Sequence, residues 1–414
     1  MRVCVITAGH LATCPRMLKA ADAFALAGHE VRVVSANYLR WAREADQHLR
    51  SKRTWEWQTF NYEKPQAIFS SRIIALRFRI ARRLASLMGP ERAGLKTAAC
   101  ASSRAHRELL KLAVKQPADF FYGGTSGGMV VAAEAGRKLG VPYALDLEDF
   151  HSAEQDESPE AHLSHALISN LEQRILSKAA FLTAGSEAIA SAYQDRYGVR
   201  PLPVNNTFPL PEAPPEFRPN PNPGLRLYWF SQTIGEGRGL EEVVRALKMA
   251  GIPAELHLRG LPTNGYVDAL RALATGALVQ TKIIVHEPAP PDEMVRLAED
   301  FEVGLAVEET RNFNRRICLT NKAFTYILAG LAVIFTNTPG QSALALDLKK
   351  GAQLYRPGDI DGLARCLHLW ASDKEALLKA RHEAWAAAKR RWHWEHPLER
   401  GALLELIAAA AKGP

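Results

Sequence analysis

Short apolar and β-branched runs alternate with amphipathic segments along most of the chain. RVCVITA reads as a buried strand, and PRMLKAADAFALAG reads as the helix after it. Pro15 suits the first helical position, Leu18, Ala21 and Ala25 share a face, and Gly28 suits the stop. EVRVVS is the next strand. The alternation continues through ADFFYGG, MVVAAEAGRKLG, PYALDLE, LSHALISNLEQRILSKA and FLTAGS, and a helix is predicted from Ser186 to about Tyr197. This order predicts a parallel sheet covered on both faces. Nine prolines then fall between Pro201 and Pro223. Neither a helix nor a central strand tolerates that density, so a linker between two domains is expected there. Beyond it the alternation restarts, with LRLYWFS, AELHLRG, KIIVH, FEVGLAV and LAVIFTN as strands and LEEVVRALKMAG and NKAFTYILAG as helices. From about Asp373 to Lys412 the chain reads as helical and rich in Ala and Trp.

Composition changes this picture little. At 414 residues, 47% hydrophobic and 23% charged, the chain is ordinary globular material for two or three domains. There is no apolar run of about 18 residues, and the N-terminus MRVCVITAGH is too short for a signal-peptide core. Cys4, Cys14, Cys100, Cys318 and Cys366 form no CxxC pair and no zinc spacing, as expected of buried thiols in a reducing cytosol. Charge is more telling. Between Ser71 and Lys115 the balance is +9, against +8 for the whole chain, so the rest is near neutral. RIIALRFRIARRLASLM mixes cations with large apolar residues, as interfacial helices do. Arg72–Lys115 is therefore expected to form a basic helical surface that meets an anionic membrane or a lipid-linked acceptor. A solvated helix packing its apolar side on the first domain is the plainer alternative. Nucleic acid is not expected, because no binding motif accompanies the charge.

Ligands of open parallel sheets gather outside the carboxyl ends of the strands. After the first strand, Gly9 and His10 are substrate-binding candidates, although the loop lacks GxGxxG. Gly123, Gly124, Gly127 and Gly128 fit a tight turn as well as a ligand loop. After PYALDL come Glu148, Asp149 and His151, the catalytic candidates; a solvated acidic loop is the bland alternative. In the second half, Gly235, Gly237 and Gly239 let the backbone approach an anion that Arg238 can neutralise. Thr320 or Asn321 suits a helix N-cap. Lys322, in the first turn, opposes the helix dipole, which makes sense if a phosphate sits there.

PRMLKAADAFALAGHEVRVVS, SKAAFLTAGSEAIASAYQDRYGV, YWFSQTIGEGRGLEEVVRAL, NKAFTYILAGLAVIFTNTPGQ and GAQLYRPGDIDGLARCLHLW occur in the order in which similar signatures occur in a large family. The chain resembles the GT-B glycosyltransferases, in particular the bacterial retaining enzymes of the group 1 type. The resemblance implies an α/β protein with two Rossmann-like, doubly wound domains facing a cleft. Residues 1–210 would form an acceptor-binding domain, 224–390 a nucleotide-sugar-binding domain, and 391–414 a terminal helix returning to the first. It implies a metal-independent sugar transferase, hexosyltransferase-like, that uses a nucleoside-diphosphate sugar as donor and needs no cofactor. Of the family's basic pair, Arg238 keeps the charge and Gln232 stands at the other position. The Glu-x7-Glu motif is degenerate: Thr325 stands at the ribose-binding Glu, Ile317 near the first Glu, and Glu308 or Glu309 would substitute near the sugar. Glu148 falls where the family has a His.

The acceptor would be a hydroxyl of a glycan, a lipid-linked sugar or another molecule, in polysaccharide biosynthesis. Glu148 or Asp149 would deprotonate it in an inverting reaction; in a retaining one the leaving phosphate takes the proton. A cytoplasmic location, peripheral on the inner face of the membrane, is expected. Two other readings stand beside the transferase: a catalytically weak relative that binds a sugar nucleotide or carbohydrate, and a sugar-nucleotide epimerase.

Overall fold

A computed structural model describes residues 1–64, 67–156, 158–218, 220, 224–276 and 281–412. Part of the proline-rich stretch, residues 219 and 221–223, and the last two residues, 413–414, lie outside the described residues. The chain divides into two compact units, one of Met1–Asn205, Asn312–Asn314 and Pro397–Pro414, the other of Asn206–Arg311 and Arg315–His396.

In the first unit the order is β1 (Arg2–Thr7), α1 (Pro15–Leu26), β2 (Glu30–Asn37), α2 (Arg40–Ser51), β3 (Glu56–Asn61), α3 (Ile68–Met88), α4 (Leu95–Ser102), α5 (His106–Ala113), β4 (Phe120–Gly124), α6 (Thr125–Leu139), β5 (Tyr143–Leu147), α7 (Pro159–Ile175), β6 (Leu182–Ala184), α8 (Glu187–Tyr197) and β7 (Leu202–Pro203). All seven strands are parallel, in the order β3-β2-β1-β4-β5-β6-β7. Central β1 is buried from Val3 to Thr7, which is why its run is continuously apolar. Pro15 opens α1, and Gly28 takes the positive φ that ends it. Ser186 caps α8 by accepting from Ile189 N. The proline-rich stretch contributes β7, which prolines permit because it is an edge strand.

The four glycines do not form a tight turn: Gly123 and Gly124 end β4, and Gly127 and Gly128 lie in α6. Both helical glycines are buried. A Cβ on Gly128 would lie 2.7 Å from the Ile6 carbonyl oxygen, so glycine lets α6 pack directly on β1. Thr125 starts the helix at φ 61°, and its Oγ1 accepts from Ala8 N at 3.2 Å.

The second unit runs β8 (Leu225–Ile234), α9 (Leu240–Ala250), β9 (Ala254–Pro262), α10 (Tyr266–Ala274), β10 (Thr281–His286), α11 (Met294–Ala298), β11 (Val303–Ala306), α12 (Phe313–Ile317), α13 (Asn321–Leu328), β12 (Ala332–Thr336), α14 (Pro339–Leu348), β13 (Ala352–Tyr355), α15 (Ile360–Ser372) and α16 (Lys374–Arg390). Its six strands are parallel in the order β10-β9-β8-β11-β12-β13. Two apolar clusters cover the sheet's faces, one around Trp229, Leu256, Ile334 and Trp370, the other around Tyr228, Phe301, Tyr326 and Phe335. A last helix, α17 (Ala402–Ala411), packs with the first unit and touches α1. Both units are thus doubly wound α/β, the expected class.

Each sheet reverses its winding direction once, between β1 and β4 and between β8 and β11. Loops diverge at such switch points and leave a crevice at the carboxyl ends of the strands. All five cysteines are free thiols. No helix among the described residues is long and apolar enough to cross a membrane.

Candidate active site

In the second unit, Glu308 follows β11 at the switch point and is 3% exposed. Lys322 Nζ, from the first turn of α13, donates to Glu308 Oε1 at 2.6 Å. Arg315 Nη1 donates to Oε2 at 2.7 Å. Burial alone would push the Glu308 carboxyl up, but the charges of Lys322, Arg315 and Arg238 hold it below its ordinary value. Arg238 is half-buried in the loop between β8 and α9 and makes no ion pair among the described residues. Burial and the like charge of Arg315 lower its pKa, and Glu308 offsets this in part. Three cations therefore surround one carboxylate.

That arrangement revises the reading of Lys322. The anion against it is Glu308, an internal carboxylate, and the ammonium also lies 5.6 Å from the centre of the Trp229 ring. The Glu308 carboxylate offsets the unfavourable placement of a cation in the first turn of the helix. Arg315 was missed from the sequence; the double arginine in NFNRRICLTNK, shortly before the α13 cap, was the available signal.

The other second-unit candidates divide. Gly237 and Gly239 take φ of 75° and 74°, the left-handed region that favours glycine, and Gly239 occupies the N-cap of α9. Thr320 is the N-cap of α13, yet its hydroxyl makes no cap bond and its Oγ1 is buried without a partner among the described residues. Asn321 opens the helix and is half-buried. Thr325 is fully buried, and its Oγ1 also lacks a partner among the described residues. Gln232 is exposed on β8 beside a register shift. Glu309 pairs with Arg311 and is partly exposed.

In the first unit, Glu148, Asp149 and His151 follow β5 at its carboxyl end. Burial, then Asp149 and Asp146, push the Glu148 carboxyl up to about 7, against the opposing pull of Arg16. Asp149 Oδ1 accepts from Asn314 Nδ2 at 2.8 Å. His151 is buried, and its Nδ1 lies 3.0 Å from Glu154 Oε2. Burial would lower its pKa, but Glu154, Asp149 and Glu172 raise it to about 9. The raised value favours the imidazolium form of His151 at neutral pH. Behind the loop, Glu172 accepts from Tyr193 at 2.7 Å and from Tyr197 at 2.6 Å, and the Tyr193 oxygen in turn accepts from the His151 amide.

Both ring nitrogens of His10 are engaged by groups of the first unit. Its Nε2 accepts from the Tyr38 and Leu39 backbone amides at 2.9 and 3.0 Å, so Nδ1 carries the proton and donates to Asp46 Oδ2 at 2.8 Å. Gly9 has no steric need to be glycine: a Cβ there would meet only Tyr38 and Thr13 atoms, at 3.5 Å or more.

Residues 15–205 match the family described as glycosyl transferase 4-like domain. The solved structures that resemble the chain include HepE of Anabaena in complex with UDP and glucose, with 15% identity, 100% of both chains covered and a TM-score of 0.66. Sucrose-phosphate synthase of Thermosynechococcus elongatus matches at 11% identity over 100% of this chain and 98% of that one, with a TM-score of 0.65. TarM of S. aureus, solved as a mutant with fondaparinux, α-GlcNAc-glycerol and UDP, matches at 9% identity over 99% of both, with a TM-score of 0.66. No curated protein matches the chain in sequence.

Proposed function

On the premise of a GT-B chain whose residues 15–205 match a glycosyl transferase 4-like domain, we propose that the protein transfers a sugar from a nucleoside-diphosphate sugar to an acceptor hydroxyl. One observation carries this reading: Arg238, Arg315 and Lys322 gather around the single carboxylate of Glu308 at the switch point of the second unit. Arg238, which makes no ion pair among the described residues, is placed to neutralise a diphosphate oxygen beside this cluster. Guanidinium forks match phosphate oxygens, and the left-handed glycines beside Arg238 free the backbone for close approach. The N-termini of α9 and α13 add amide donors of the same polarity.

In the transfer, the bond from the anomeric carbon to the diphosphate breaks and a bond to the acceptor oxygen forms. The cations stabilise the charge that develops on the leaving diphosphate. In a retaining reaction the leaving phosphate takes the acceptor proton; in an inverting one Glu148 or Asp149 takes it, and the Glu148 carboxyl, at about 7, is tuned to exchange protons at neutral pH. Asp149 fixes the loop through Asn314, and the imidazolium of His151 helps to hold it. The chemistry needs no metal, because side chains supply the neutralising charge. The HepE complex contains UDP and glucose, so UDP-sugars are the first donors to try.

The test is incubation of the purified protein with a panel of sugar nucleotides, reading nucleoside-diphosphate release with and without glycan or lipid-linked acceptors. Turnover of one or a few donors, accelerated by acceptor, is expected. Absence of turnover together with absence of binding to every donor contradicts the reading.

A further inference from the structure

Helix α3 carries two apolar faces. One, with Ile74, Ala81 and Ala85, is buried against the first unit. Arg77, donating twice to Glu108, and Arg82, bound to Ser164, anchor the helix at its flanks. A second face, turned about 120° from the first, is exposed. Phe69, Ile73, Leu76, Ile80, Leu84 and Leu87 all lie in solvent, the first at 78% exposure and the last at 76%. At roughly 100° per residue, these six fall within an arc of about 80°. Residues so placed form one stripe along nearly the full 21-residue helix, about 30 Å long. Scattered exposed leucines need no explanation, but a continuous stripe of this length does.

Arg72, Arg79 and Arg83 are also exposed and line one border of the stripe. None of the three makes an ion pair among the described residues, and α3 contains no Asp or Glu. A second copy laid on this face would set arginine against arginine with no acid to pair. An anionic lipid surface satisfies both halves of the pattern, since the acyl region takes the stripe and the phosphate headgroups take the guanidinium groups.

We propose that α3 is a membrane-docking helix that lies flat on an anionic bilayer, inserting Phe69, Ile73, Leu76, Ile80, Leu84 and Leu87 and seating Arg72, Arg79 and Arg83 among the headgroups. Docking does not depend on sugar transfer, so either can fail without the other. It would bring the enzyme to acceptors held at a lipid surface.

The experiment is sedimentation of the full chain with vesicles of phosphatidylcholine alone or with one-third phosphatidylglycerol, at low and high salt. Binding to the anionic vesicles, weakened by salt, is expected. Replacing Arg72, Arg79 and Arg83 with Gln lowers partitioning by about a hundredfold, at roughly fivefold per cation. Leu76→Ser with Ile80→Ser lowers it by about tenfold or more per residue. Circular dichroism of each variant shows whether the fold is retained, and the arginine variant leaves the apolar stripe unchanged. Equal binding to both vesicle types, no binding, or self-association abolished by the serine variant in place of vesicle binding would overturn the proposal.

Discussion

Glu148 shows how one side chain serves chemistry against stability. Its carboxyl is pushed from 4.5 to about 7 by burial and by the neighbouring acids Asp149 and Asp146. The folded state thus favours the neutral form, and the stability this confers is present below pH 4.5 and lost as pH rises through about 7. Glu148→Gln, neutral at every pH, should therefore raise the thermal midpoint at pH 8 and leave it little changed at pH 4. The same substitution should lower turnover by about a hundredfold and remove the rise of kcat/KM with pH near 7. A variant with equal stability at pH 8 and full turnover would show that the carboxylate is a bystander. Residue-scale chemistry was legible in the sequence where it is local: the acidic group after PYALDL stood out because strand, turn and charges adjoin. It was illegible where partners come from afar. His10 is held by Asp46 from α2, and Lys322 is paired with Glu308 from the end of β11, and neither partner adjoins its residue in the sequence.

Between elements, a buried ion pair joins parts of the first sheet that the sequence keeps far apart. Arg16, in the first turn of α1, donates through Nε to Asp146 of β5 at 2.8 Å and also binds the Val204 carbonyl. Asp146 accepts further from Thr183 of β6 at 2.6 Å. Removing one partner strands a charge in the interior, so Asp146→Ala should destabilise the protein by about 3–5 kcal/mol in urea unfolding. A loss under about 1 kcal/mol would mean that water reaches Arg16. Gly128 is the steric counterpart. Its missing side chain lets α6 approach β1, and Gly128→Ala should cost about 1–3 kcal/mol in the same assay, where an exposed helical glycine would gain from alanine. The strands and helices themselves could be read from periodicity, because each is one local pattern. The start of α6 could not, since glycines that permit close packing look the same in sequence as glycines that permit a turn.

Over the whole molecule, two parallel sheets each place their candidate chemistry at carboxyl strand ends, the first around the β5 loop and the second around the β8–β11 switch point. The parallel sheets follow from the alternation of elements, which was visible in the sequence, whereas the strand order was not. The convergence of Arg238, Arg315 and Lys322 on Glu308 was not, because it arises only when β8, β11 and α13 are neighbours. The decisive measurement is calorimetric titration of the common nucleoside diphosphates into the intact protein and into Arg238→Ala and Arg315→Ala. Charge-assisted hydrogen bonds contribute about 1.5–3 kcal/mol, so each variant should bind roughly ten- to a hundredfold more weakly, and Arg238→Ala, which breaks no ion pair among the described residues, should retain its thermal midpoint. Unchanged affinity in both variants, or no affinity in the intact protein for any nucleoside diphosphate, would contradict a donor site at this cationic cluster.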